Sequence, residues 1–274
     1  MDRAAACLWE FPITGIEEHP EHRLVAFSGR PWDVDRLVFA LRELGVIPLG
    51  PPVVRAIEDE DWLALWKRAW RPTPLGRRLL VVPAWWEAPL DPGRLAVRID
   101  PGRAFGTGTH ESTILAWELL EGLLEAEPDR AGWLLDVGTG TGVLALGALS
   151  LAPKLRAVAT EADPQAVASL RPNLVLNPCP RLHPVTAAAL PLRPAAVSVA
   201  VANLTAAEHD RVDSALAEVL GDFAHVILSG LLAAQLPALV ERWMGRGFSV
   251  RARAARGAWR AVRLAGSEAP DPRR

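Results

Sequence analysis

From Trp133 to Leu264 short apolar runs alternate with helix-length segments, and that alternation leaves few folds open. Strands are expected over 133–137, 156–160, 182–186, 197–202, 224–229, 248–254 and 258–264, and helices over 141–151, 164–170, 206–220 and 233–245. Strands and helices that alternate in this way predict a parallel sheet wound on both faces. Only a few residues around Arg256-Gly257 separate the last two strands, so these must run antiparallel. The fold class is therefore α/β, with a Rossmann-like sheet that finishes in a C-terminal antiparallel hairpin.

Upstream of this region the pattern changes. Arg3 to Phe11 reads as a helix, and Gly15-Ile16-Glu17-Glu18 leads into a strand near Leu24–Phe27. Asp33 caps a helix that runs through Leu44 and is ended by Gly45. A further strand is expected near Val53–Ile57, after Pro48, Pro51 and Pro52. Residues 1–57 thus form a small α+β domain. Residues 58–99 read as a helical and strand-bearing linking region, 100–266 as the main domain and 267–274 as a polar tail. In the linking region Glu58–Asp61 suit the first turn of a helix, and Trp62, Trp66 and Trp70 share one face of it. A stripe of this kind is expected to face a core. Strands are expected at Leu79–Val82 and Val97–Ile99.

Composition narrows the setting. The chain has 274 residues, half of them apolar, with no apolar run near the length of a membrane span. Two cysteines, Cys7 and Cys179, are too few for a disulfide framework and match no zinc spacing, so no metal is expected. With no basic leader and an apolar run after it, a cytoplasmic location is expected. A net charge of −2 argues against a nucleic-acid binder held by bulk electrostatics. Lys67 and Lys154 are the only lysines among 30 basic residues, a bias that base composition explains as well as function does.

The run Leu134–Val143 reads as a buried strand, a glycine-rich turn and the start of a helix. Such a turn brings backbone N–H groups and a helix N-terminus to a nucleotide-like ligand. Gly138, Gly140 and Gly142 recur at every second position, whereas the dinucleotide fingerprint needs its third glycine where Val143 stands. The turn suits an adenosine without a pyrophosphate, which points to S-adenosylmethionine. Asp136 either orders the turn or meets the ammonium group of that ligand. Glu161 follows Gly138 by 23 residues, near the place where an acid accepts from a ribose hydroxyl pair. Asp163 caps the next helix before Pro164. Asn203 ends a central strand, so its amide faces the ligand crevice and can orient an amine.

Between residues 100 and 113 lies a loop rich in glycine and threonine that also holds Phe105 and His110. The run Phe105-Gly106-Thr107-Gly108-Thr109-His110-Glu111-Ser112-Thr113 resembles the F-G-T-G-x-H-x-[ST]-T signature of the bacterial methyltransferases that modify the eleventh large-subunit ribosomal protein, the PrmA family. The likeness continues through Asp59–Lys67, Asp136–Gly142, Glu161–Pro164, Val201–Leu204 and Leu228-Ser229-Gly230, and covers about residues 14 to 264 in collinear order.

That resemblance implies a class I methyltransferase fold and S-adenosylmethionine as cofactor, with Thr113, Gly138, Glu161 and Asn203 as binding positions. The family's usual aspartate at the ribose position is Glu161 here. Phe105, Asp136 and Gly140 complete the expected cofactor-binding set, and His110 or solvent is expected to take the proton of the amine. The acceptors it implies are lysine side chains and the N-terminal amine of the ribosomal protein, modified by a monomer that contacts neither nucleic acid nor membrane. Residues 1–57 would then be an incomplete ferredoxin-like substrate-docking domain, with Met1 falling inside its first helix. The alternatives are a same-fold methyltransferase for another protein or a small molecule, and a non-catalytic cofactor-binding module. Arg171-Pro172 is expected to end the preceding helix near Leu170, since proline inside a helix costs about 3 kcal/mol.

Overall fold

The computed structural model describes residues 4, 7–8, 11, 15–19, 23–28, 33–55, 70–100, 108–162, 164–187, 190 and 192–266. The chain divides into two compact units, Met1–Ala64 and Leu65–Arg274.

In the first unit, β1 (Gly15–His19) and β2 (Arg23–Phe27) pair as an antiparallel hairpin. Helix α1 (Val34–Glu43) begins where expected, because the Asp33 carboxylate accepts from the N–H groups of Asp35 and Arg36. Its Leu37 packs with Cys7 and Leu8 in a small core of their own. Ala4, Cys7 and Leu8 are helical, as the sequence predicts for that stretch. The strand expected over Val53–Ile57 does not form at residues 53–55, where Val53 and Val54 are exposed; Ile57 lies outside the described residues. Pro51 and Pro52 have no N–H to offer a ladder, and no neighbouring strand pairs with this stretch among the described residues.

The second unit is built on the sheet that the alternation predicts. Its strands are β6 (Gly132–Val137), β7 (Leu155–Glu161), β8 (Leu182–Thr186), β9 (Val197–Asn203), β10 (Leu220–Leu232), β11 (Ser249–Arg256) and β12 (Trp259–Ala265). They lie in the order β11-β12-β10-β9-β6-β7-β8, parallel except for β12, which runs against both of its neighbours. The helices are α2 (Glu111–Ala126), α3 (Val143–Leu151), α4 (Pro164–Leu176), α5 (Ala206–Val219) and α6 (Leu236–Gly245). Both faces of the central strands are covered, so their sequences are apolar throughout rather than alternating. Leu134, Val199 and Val201 enter one core with α2, α3 and Leu170 of α4. Leu135, Ala200 and Ala202 enter the other, with Leu216 of α5 and Trp243 of α6. The strand order reverses between β6 and β9, and a sheet of this kind binds ligands at the carboxyl ends of its strands at that reversal.

Residues 70–99 add a second sheet to the first core. β3 (Thr73–Leu75) pairs antiparallel with β4 (Leu79–Pro83), and β4 pairs parallel with β5 (Leu95–Ile99). Trp70 is buried in that core, as its place in the stripe predicts, while Trp62 and Trp66 lie outside the described residues. The carboxylate of Glu121, on α2 and almost wholly buried, accepts from Arg77 N, Arg78 N and the Trp117 indole at 2.8, 2.7 and 3.2 Å, and so fastens the β3–β4 turn to the helix.

Helix α4 departs from expectation. It continues past Pro172 to Leu176 instead of stopping near Leu170. The two asparagines that follow the proline supply the reason. The Asn173 side chain accepts from Asp100 N and donates to the carbonyls of Asp100 and Thr141, at 2.7, 3.1 and 3.0 Å. Asn177, one turn on, accepts from Arg98 N at 2.8 Å and donates to Arg98 O at 2.6 Å. Both amides act as peptide-like partners for the outer edge of β5, and those bonds offset what the proline removes from the helix.

Candidate active site

The glycine turn leaves β6 and enters α3. Gly138, Gly140 and Gly142 take φ values of 65°, 55° and 83°, the left-handed region that residues with a Cβ avoid. Asp136 holds this path from below: its Oδ2 accepts from the Thr139 hydroxyl at 2.7 Å and from Ala145 N at 3.2 Å. Of the two roles that the sequence left open for Asp136, this geometry matches the ordering of the turn. Burial pushes its carboxyl up to about 6, against the lowering effect of those two hydrogen bonds, and the Glu161 charge adds to the rise.

Glu161 ends β7 half-buried at the neighbouring strand tip. Its Oε2 accepts from Gly140 N at 3.2 Å and its Oε1 from Ala162 N at 3.0 Å. The carboxylate thus stands against the turn and keeps lone pairs for further donors. Asn203 ends β9, on the other side of β6. Its Nδ2 donates to Thr113 Oγ1 at 3.2 Å, while its Oδ1 is buried and without a hydrogen-bond partner. Thr113 itself is buried in the first turn of α2. The structure therefore brings Asp136, Gly138, Gly140, Glu161, Asn203 and Thr113 to one end of the sheet, across the strand-order reversal.

His110 is the N-cap of α2. Its Nδ1 accepts from Ser112 N at 3.2 Å and lies 2.8 Å from the Ser112 hydroxyl, and its ring meets Trp259 edge-on at 4.9 Å. The ring nitrogen nearest the helix thus satisfies an otherwise orphaned N–H. Phe105 and Asp163 lie outside the described residues.

Three residues of this region had no role assigned from the sequence: Ser112, which stands in the Phe105–Thr113 run, His209 and Ser229, each 1% exposed or less. Ser229 lies within the collinear run Leu228-Ser229-Gly230, which carried no chemical role on its own. In register it stands beside Asn203. A Cβ on the next residue, Gly230 (φ 84°), would overlap the Leu204 carbonyl, so glycine there lets the Asn203-Leu204 peptide press against β10.

An adenosine carrying a sulfonium fits these residues. The glycine turn brings backbone close without the geometry for a pyrophosphate, Glu161 offers acceptors for a ribose, and Asn203 presents a buried acceptor with no partner. Fold and site together define a class I S-adenosylmethionine-dependent methyltransferase.

A profile of the family described as ribosomal protein L11 methyltransferase (PrmA) matches residues 33–266. The ribosomal protein L11 methyltransferase of Geobacter sulfurreducens is 38% identical over 257 residues, covering 91% of this chain and 83% of that protein. The Pelobacter propionicus protein of the same name is 40% identical over 183 residues, 66% of this chain, and the match spans only 59% of its length. Among solved structures, a ribosomal protein L11 methylase from Lactobacillus delbrueckii subsp. bulgaricus is similar at TM-score 0.63 and 26% identity, covering 73% of this chain and all of that one. The chain belongs to the ribosomal protein L11 methyltransferase family. Among the described residues no helix is long and apolar enough to cross a membrane.

Proposed function

We propose that this chain is a cytoplasmic, monomeric enzyme that N-methylates ribosomal protein L11, on lysine side chains and the N-terminal amine. The observation that carries this reading is the unpartnered, buried Oδ1 of Asn203 at the carboxyl end of a central strand. A lysine ammonium has no lone pair and an ordinary pKa of about 10.4. An apolar crevice disfavours that charge. A neutral amine that donates one N–H to Asn203 Oδ1 has its lone pair turned to a fixed direction. Thr113 keeps the amide from rotating by accepting from Nδ2.

Glu161 would hold the ribose hydroxyls, Asp136 the shape of the turn and Gly138 the space above it. Bound S-adenosylmethionine supplies the electrophilic methyl carbon on its sulfonium. His110 Nδ1 is committed to the helix cap, so in this reading the proton of the amine departs to solvent.

Mass spectrometry of ribosomal protein L11 after incubation with the enzyme and cofactor tests the reading directly. Mass gains in steps of one methyl are expected. With Asn203→Ala, kcat should fall on the order of 100-fold, well beyond any accompanying loss of cofactor affinity. Labelling of other lysate components with L11 left unmodified would overturn the substrate assignment.

A further inference from the structure

We propose that Ser229 and His209 are positioning residues that set the direction of the Asn203 amide, an inference that rests on the methyl-transfer reading above. Neither residue belongs to the cofactor-binding set, and both are buried. The backbone carbonyl of Ser229 receives two donors, Leu204 N at 3.1 Å and His209 Nε2 at 2.8 Å. A carbonyl only accepts, so His209 carries its proton on Nε2. Burial lowers the pKa of this imidazole, so it stays neutral at physiological pH. Its element is well fixed, because Glu208 accepts from both the N–H and the hydroxyl of Thr205 at the start of α5.

The Ser229 hydroxyl reaches the other way and donates to the Ser112 carbonyl at 2.8 Å. Ser112 precedes Thr113, the residue that accepts from Asn203 Nδ2. One residue of β10 therefore ties together the peptide that follows Asn203, the start of α5, and the turn of α2 that anchors the amide. Pairing of β9 with β10 needs only the backbone. The side chains of Ser229 and His209 add bonds that fix where α2 and α5 stand relative to Asn203. Loss of either should leave the sheet intact and the cofactor bound, and should let the amide turn.

The test compares His209→Ala, Ser229→Ala and His209→Gln in the full chain. Glutamine places an amide N–H where Nε2 stands. For His209→Ala and Ser229→Ala, kcat should drop about tenfold or more, with the calorimetric Kd for S-adenosylmethionine within about threefold of wild type. His209→Gln should recover most of the loss. A second readout needs no acceptor. The chain has three asparagines, at 173, 177 and 203, so ¹⁵N labelling selective for asparagine side chains gives three amide pairs, and Asn203→Asp assigns one of them. The Asn203 pair should shift and exchange faster in both alanine variants and return in His209→Gln.

Unchanged kcat, an equal loss of cofactor affinity, or an unmoved Asn203 signal would each overturn the proposal. If His209→Ala fails to fold, Ser229→Ala and His209→Gln decide by the same measures. If the wild-type chain leaves the ribosomal protein unmodified, the methyl-transfer reading falls, and the amide signal still decides the positioning.

Discussion

Burial holds the Asp136 carboxyl near a pKa of about 6, well above its ordinary 3.8. The folded chain therefore binds that proton more tightly than the unfolded chain does. The contribution to stability is present below about pH 4, is lost as the pH rises to about 6, and stays lost above. Asp136→Asn removes this dependence. Between pH 6 and pH 4 the wild type should gain about 2 kcal/mol relative to that variant, measured by urea unfolding at each pH. Glu161→Gln is expected to act on binding alone. It replaces a charged acceptor by a neutral one, and the Kd for S-adenosylmethionine should rise about tenfold to a hundredfold in calorimetry. Both residues were legible in sequence because each sits at a strand end, at a fixed distance from the glycine turn. Ser229 and Ser112 were not, since they meet across 117 positions and nothing local marks either as a partner. For His110, the motif shows a histidine before a helix but not which ring nitrogen faces the first turn.

At the level of elements, local propensity placed each strand and helix of the main sheet, but β10 (Leu220–Leu232) extends well past both ends of the expected 224–229. Strand 182–186 matches its expected bounds, and the glycine turn opens α3 as read. Helix α4 also runs past its expected end, and there the cause is tertiary. Proline is locally unfavourable there, but Asn177 reaches Arg98 of β5 and Asn173 reaches Asp100 just after it, 79 and 73 positions away and beyond any window of local reasoning. Two opposed effects follow. Pro172→Ala restores an N–H to the helix while freeing the unfolded chain, so a net gain of about 1–2 kcal/mol is expected in denaturant unfolding. Asn173→Ala removes the side-chain hydrogen bonds to Asp100 N, Asp100 O and Thr141 O, and should cost about 2–4 kcal/mol. If Asn173→Ala were neutral, the account of why the helix survives its proline would be wrong.

For the molecule as a whole, topology carries more information than any one contact. Alternation foretold a doubly wound sheet and a closing hairpin, but the hairpin's order in the sheet is a result of folding that periodicity does not encode. β12 follows β11 in the chain and yet lies between β11 and β10, hydrogen-bonded on both sides. Until residues 259–265 arrive, β10 has an open flank of unpaired N–H and C=O groups beside an apolar core. A chain stopped after Gly257 should therefore aggregate on expression and bind no cofactor, as checked by sedimentation and calorimetry. During synthesis the same flank stays exposed while α6 and β11 emerge, which makes that interval the one in which the nascent chain most needs a chaperone or a slow neighbour-free environment.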